Sequence, residues 1–266
     1  MTCTLGAGKV SAEETCRPLK GAQAILERSN LRYFIVGEMH GTSETAPLFL
    51  DLVCQAASHS TIIVGLEMEE REQPLLDAFL MSDGGVRAQT SLLQGWHWHY
   101  TDGRASKAML ELIAHLRQLK AGGAPIRVVA FVPTVADAAT QTPYEKAMAA
   151  NWQRALDNEA NARLFVLVGN VHALLDKFAD FEPAAMHLPR VMTITFSPAD
   201  TGGSAFNCQN DGCGIHSLGL GRTSLPRGLA PLPQNARGYR PYGYIYSPGQ
   251  KFTPSLPAAA ARVTKP

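Results

Sequence analysis

Along the chain, short unbroken apolar runs alternate with longer segments in which apolar positions recur every three or four residues. The runs Arg32 to Val36, Thr61 to Leu66, Ile126 to Val132, Leu164 to Val168 and Val191 to Phe196 are rich in β-branched and aliphatic residues, and they predict strands covered on both faces. Between the first two, Ala46, Phe49, Leu50, Val53 and Ala57 share one face of a predicted helix that Thr42 or Ser43 can cap. Glu72 to Met81, Ala105 to Lys120, Pro143 to Leu156 and Ala173 to Phe178 give further helical patterns, and Gly122 and Gly123 close the second of these four. This alternation predicts an α/β domain with a mostly parallel central sheet and helices on both faces.

Two stretches break the pattern. Ser82 to Gly103, containing LLQGWHWHYTDGR, is too aromatic for an idle linker and too irregular for a strand or helix, so it is expected to form a lid. Beyond Phe196 the chain is rich in Gly, Pro and Asn, which predicts a loop-rich section with one late strand, Tyr242 to Ser247. The closing PAAAARVTKP is expected to fray. The resulting plan is an N-terminal segment 1–30, one α/β domain over 31–256 and a tail 257–266.

Composition narrows the partners. With 266 residues, 45% hydrophobic and 18% charged, the chain can build one sizeable core and is short for two. A net charge of +1 and the lack of any Lys/Arg block leave no electrostatic footprint for nucleic acid or an anionic membrane. No apolar run approaches the roughly 20 residues of a transmembrane segment, and MTCTLGAGKV lacks the apolar core of a signal peptide. The chain is then either cytoplasmic or an exported protein whose leader has been removed. Cysteine spacing favours export, to the periplasm or beyond. Cys3 and Cys16 flank a polar segment, Cys208 and Cys213 flank the turn-forming QNDG, and Cys54 sits alone in a predicted helix, giving two local pairs and one buried thiol. Five free thiols in a reducing compartment is the competing reading. A zinc site at Cys208 and Cys213 lacks a second pair at ligand spacing.

In a mostly parallel sheet, ligands bind beyond the carboxyl ends of the strands, so the residues that follow each strand carry the functional signal. The first strand leads into Gly37-Glu38-Met39-His40-Gly41, the second into Glu67, and the fourth into Gly169-Asn170-Val171-His172. Singly, His172 could be a helix-opening cap and Glu67 part of an acidic helix start with Glu69 and Glu70. The repetition is harder to dismiss: Gly-x-x-His occurs twice, each time after a buried strand, where glycine permits a tight turn and close backbone approach.

VGEMHGTSE, VGLEM and LVGNVHA resemble the superfamily that joins erythromycin esterases, ChaN-like haem-uptake proteins and TIKI/TraB metalloprotease-like proteins. The resemblance spans Leu31 to Phe196 and implies a core constellation of His40, Glu67 and His172, with Glu38 beside them. HGTSE is similar to the esterase branch, which has a Glu at the position of Glu44, whereas the spacing of GEMHG is nearer ChaN. The chain departs from the ChaN pattern at Tyr144 and Glu145, where Arg and Asp would stand before the Met-Ala-x-Asn segment.

These residues allow two hydrolytic routes on a small-molecule or peptide substrate. In one, His40, Glu67 and His172 bind a divalent ion such as Mn, Co, Zn or Fe, leaving a position open for water, with Glu38 as general base or as a group that steadies a ligand. In the other, a carboxylate-supported His deprotonates water for attack on an ester or amide, and backbone N–H groups near Gly41 and Thr42 steady the oxyanion. No G-x-S-x-G elbow is present, which disfavours a serine acyl-enzyme. Glu44, Trp96, His97, Glu145 and Asn170 are the candidate substrate contacts. The alternative is a ChaN-like haem binder without turnover, using the aromatic stretch Trp96 to Tyr100 or one of Tyr239, Tyr242, Tyr244 and Tyr246. The plainer reading of both aromatic groups is structural packing.

Overall fold

A computed structural model describes residues 16–134, 141–157, 159–232 and 243–259. The strands are β1 (Tyr33–Glu38), β2 (Ile62–Glu69), β3 (Ile126–Val132), β4 (Arg163–Gly169), β5 (Thr193–Pro198), β6 (Ser204–Gln209), β7 (Gly212–Ser217), β8 (Gly228–Pro231) and β9 (Gly243–Ser247). The helices are α1 (Ala22–Leu26), α2 (Thr45–Ala57), α3 (Gln73–Leu80), α4 (Val86–Leu92), α5 (Lys107–Ala121) and α6 (Gln141–Ala155). Seven strands form one sheet in the order β3-β2-β4-β1-β5-β9-β8, parallel except for the pairing of β8 with β9. The α/β architecture read from the sequence is therefore the observed one.

Alternation within each strand divides the core in two. Phe34, Val36, Val64, Leu66, Phe165 and Leu167 face α2, α3 and α5, and Phe34 stacks on Phe165 at 4.3 Å, a pairing worth roughly 1 kcal/mol beyond its buried area. Tyr33, Ile35, Ile63, Val166 and Val168 face the other way, against Met148 and Trp152 of α6. The edge of β3 is blunted by one side chain: Gln73 donates to the Val128 carbonyl at 3.1 Å and accepts from the Ala130 N–H at 2.7 Å, much as a neighbouring strand would.

Several elements differ from the sequence-based expectation. Residues 173–178 form turns, not a helix, because Ala173 and Leu175 are both buried at a spacing of two and the chain then doubles back between Phe178 and Phe181. The Ser82–Gly103 stretch holds α4 and a 3-10 turn over Trp96–His99, anchored by the buried Trp98. Neither Thr42 nor Ser43 caps α2: Glu44 occupies the N-cap position, while the Thr42 and Ser43 hydroxyls donate to the carbonyls of Met39 and Pro254. The N-terminal segment contributes Leu19, Ala22 and Ile25 to the core, and Ala258 of the expected tail is docked through its N–H on the Ala105 carbonyl at 2.9 Å. Among the described residues, the loop-rich section after Phe196 holds four strands, of which only β9 was expected.

Cys208 and Cys213 form a disulfide, as their spacing suggested. Cys16 pairs with Cys54 and not with Cys3, which lies outside the described residues. The physical reason is the path of the N-terminal segment, which crosses α2 with the Arg17 N–H bonded to Asp51 at 3.1 Å and so lays Cys16 over the Cys54 of that helix.

Candidate active site

Strand register sets the level of the site. Glu38 lies opposite Gly169 and Leu66 opposite Leu167, so β1, β4 and β2 deliver Glu38, Gly169 and Glu67 to one end of the sheet. Both glycines serve by what they lack. A Cβ on Gly37 would lie 2.9 Å from the Asn170 Cα, and one on Gly169 would lie 2.8 Å from His40 Nε2 and 3.5 Å from Glu67 Oε2. Neither needs a positive φ, so the requirement is room, not a left-handed turn.

Within that room, Glu67 is the common point. Its carboxylate accepts the Gly169 N–H at 2.6 Å, and three further nitrogens face it: His40 Nε2 at 3.6 Å, Arg104 Nη1 at 3.8 Å and His172 Nε2 at 4.0 Å. Each imidazole is held from behind by a second carboxylate. His40 Nδ1 donates to Glu38 at 3.3 Å, and His172 Nδ1 faces both Glu145 oxygens at 2.8 and 2.9 Å. His40, Glu38, Glu67 and His172, the four residues expected to act, thus come together.

Burial disfavours charge on all of these groups, and their neighbours reverse the effect. For His40, Glu67 and Glu38 outweigh burial and lift the pKa to about 9, with Arg104 opposing. For His172, burial is likewise outweighed by the Glu145 bond and the Glu67 charge, so its pKa is raised. Burial would raise the Glu67 pKa, yet His40, His172, Arg104 and the Gly169 N–H hold it below the usual carboxylate range. At neutral pH His40 is therefore an imidazolium facing an ionised Glu67.

Arg104 was not anticipated. It follows the Asp-Gly turn of YTDGR, between the expected lid and the expected helix, and only that turn could have drawn attention to it. Its Nε and Nη2 donate to Asp102 at 2.9 and 2.6 Å, and its guanidinium lies 4.0 Å over the Tyr100 ring, whose hydroxyl donates to Glu69. Tyr144, at the position where the ChaN pattern has Arg, has its ring 6.4 Å from that of His172, and burial followed by the Glu67 charge raises its pKa. The guanidinium thus reaches the carboxylate from a different loop.

The expected substrate contacts divide. Glu145 is fully buried and already accepts from His172, Gln141 and the Ala184 N–H, so it positions the imidazole. Glu44 instead holds Thr253, through its N–H at 2.9 Å and its hydroxyl at 2.5 Å. Trp96 is exposed beneath Arg71. His97 is buried with neither ring nitrogen bonded among the described residues, and burial lowers its pKa to about 4. Asn170 sits beside the site, its N–H on the Glu38 carbonyl at 3.0 Å. The Gly41 N–H, expected to serve as an oxyanion donor, instead donates to the Gly103 carbonyl at 3.1 Å. Tyr246 is buried between Thr45 and the Gly37 carbonyl, Tyr244 packs on Phe196, and Tyr239 and Tyr242 lie outside the described residues.

For a metal, the donor types fit, and Nδ1 anchoring by carboxylates is the usual second layer of a histidine-ligated ion. The spacing fits less well: ligands of a tetrahedral ion lie roughly 3.3 Å apart, the Nε2-to-Glu67 gaps are 3.6 and 4.0 Å, and Arg104 brings a like charge. Among the described residues no group of three or more His, Cys, Asp or Glu is arranged to hold a metal ion.

No family model matches the chain, and no curated protein is significantly similar to it. Among solved structures, the chain is similar to the type III effector HopBA1, at 16% identity over 75% of this chain and 94% of that one, with a TM-score of 0.46. It is similar to RRSP, a MARTX toxin effector domain from Vibrio vulnificus CMCP6, at 15% identity over 74% of this chain and 37% of that one, with a TM-score of 0.47. A protein from Bacillus cereus gives 11% identity, 78% and 74% coverage and a TM-score of 0.47. At these values the likeness concerns the path of the chain, and no activity is carried over from it.

Proposed function

We propose that this protein is a hydrolase that cleaves an ester or amide bond with a water activated at the His40, Glu67 and His172 site. The observation that carries this reading is the convergence of three nitrogen donors on the Glu67 carboxylate at 3.6 to 4.0 Å, beyond direct hydrogen bonding yet near enough for one oxygen atom to contact both sides. Because the His40 pKa is lifted to about 9, His40 acts as a proton donor and Glu67 as the acceptor of the water proton. Arg104 Nη1 takes the oxyanion role that the Gly41 N–H cannot, since the latter is already bonded. Glu38 and Glu145 fix the two rings. The motif resemblance to erythromycin esterases and ChaN-like proteins points to the same residues.

If a divalent ion is bound, His40 would give up its Nε2 proton to it, His40, Glu67 and His172 would hold it, and it would supply an acidified water. Haem binding gains no support from Tyr246, whose hydroxyl is enclosed by Thr45 and Gly37. The two disulfides support an oxidising compartment, periplasmic or secreted. No helix among the described residues is long and apolar enough to cross a membrane.

The test is a panel of chromogenic esters and amides, run on protein as purified, after chelation and after metal reconstitution, alongside elemental analysis and an absorption spectrum. Turnover that falls by about 10²-fold or more in Glu67→Gln and His172→Ala, with unfolding still cooperative, is the expected result. No hydrolysis in any of the three states rejects the hydrolase, and a Soret band would replace it with haem binding.

A further inference from the structure

We propose that the Cys208–Cys213 disulfide is a redox lock on the loops that carry His40 and Arg104. The β6–β7 hairpin is a separate two-stranded sheet, an arrangement with little stability of its own, and the two cysteines sit directly opposite each other on its strands. Both are exposed, whereas Cys54 of the other disulfide is buried. One end of the hairpin meets the site loops at a single crowded point. The Phe206 N–H donates to the Gly41 carbonyl at 2.9 Å, and the Gly41 N–H donates to the Gly103 carbonyl at 3.1 Å. The Phe206 carbonyl lies where a side chain would start: a Cβ would come within 1.8 Å of it from Gly41 and 2.5 Å from Gly103, both at positive φ. Gly41 follows His40 and Gly103 precedes Arg104, so the three backbones interlock next to both side chains.

The disulfide touches the same loop. Thr101 Oγ1 lies 3.5 Å from the Cys213 sulfur and 3.8 Å from that of Cys208, and the next residue, Asp102, fixes the Arg104 guanidinium. Reduction is a thiol–disulfide exchange: an external dithiol supplies two electrons and two protons, the S–S bond becomes two cysteine thiols, and the reductant closes its own disulfide. The freed hairpin then frays from its outer end, and the contacts of the sulfurs with Thr101 and of Phe206 with Gly41 loosen. The loosening is independent of the activity; its effect on turnover rests on the hydrolase reading.

The experiment is hydrogen exchange on the full chain, oxidised and after dithiothreitol, with thiol titration to identify the bond opened. Reduction at Cys208 and Cys213 is expected to speed exchange of the Gly41 and Phe206 amides about ten-fold, with the β4 amides unchanged. A Cys208→Ser/Cys213→Ser variant should match the reduced protein, and Cys16→Ser/Cys54→Ser should leave those two amides as they were. Free thiols at 208 and 213 with unaltered exchange at both amides overturn the lock, whether or not the protein hydrolyses anything. Faster exchange with undiminished turnover in an active preparation overturns its control of the site.

Discussion

The two imidazoles of the site face one carboxylate yet are anchored in different ways. His40 takes its support from Glu38, two residues away at the end of the same strand, through a single bond of 3.3 Å. His172 takes its support from Glu145 on α6, a carboxylate as buried as Glu38 that also accepts from Gln141 and the Ala184 N–H. One ring is positioned by local sequence and the other by tertiary packing. The first anchor rests on one bond, and the second on several.

Removing the group the rings share would break the comparison most severely. Glu67→Gln is expected to cut turnover by about 10²-fold or more and to lower the His40 pKa by removing its largest charge partner, which an NMR titration of the imidazole would read. Next in size is the contrast between the two supports. Glu145→Ala leaves His172 and two further donors without an acceptor inside the core and should cost about 3 kcal/mol, while Glu38→Ala should cost about 1 kcal/mol; chemical denaturation measures both. Equal losses would mean that the two anchors do not differ.

The pH dependence sharpens the comparison. His40 has a raised pKa in the folded chain, so its contribution to stability is complete below its ordinary value of 6.5 and is lost as pH rises through about 9. Glu67 has a lowered pKa, so its contribution is complete above 4.5 and is lost as pH falls below that value. Melting temperature should accordingly sag at both ends, and in Glu38→Gln the alkaline loss should be smaller and finish at lower pH. The smallest expected effect is that of Gly169→Ala. Its Cβ meets a ring that can swing, so stability should change by about 1 kcal/mol or less while turnover falls about ten-fold through displacement of His40 from Glu67.

Legibility in the sequence follows the same division. Strands β1 to β5 and four of the site residues could be read because buried strands are continuously apolar and the polar residues fall directly after them. Arg104 could not, since a lone Arg after an Asp-Gly turn has no periodic signature, and its approach to Glu67 depends on how the 101–104 loop folds onto β6. Glu145 was noticed as a charge, yet its direction was not legible: only the packing of α6 against β4 turns it toward His172. The β6–β7 hairpin was missed because its strands, SAFNCQ and GCGIHS, bury little and carry no alternating apolar face.

The placing of β4 between β1 and β2 has a consequence for how the protein comes into being. His40 and Glu67 are synthesised early, but the strands that bear them are not neighbours, and the strand that joins them begins only at Arg163. A nascent chain shorter than this leaves the facing edges of β1 and β2 unpaired and has no floor beneath His40 and Glu67. Closure of those long-range pairings is the slow kind of step in folding, so assembly of the sheet and birth of the site are a single late event.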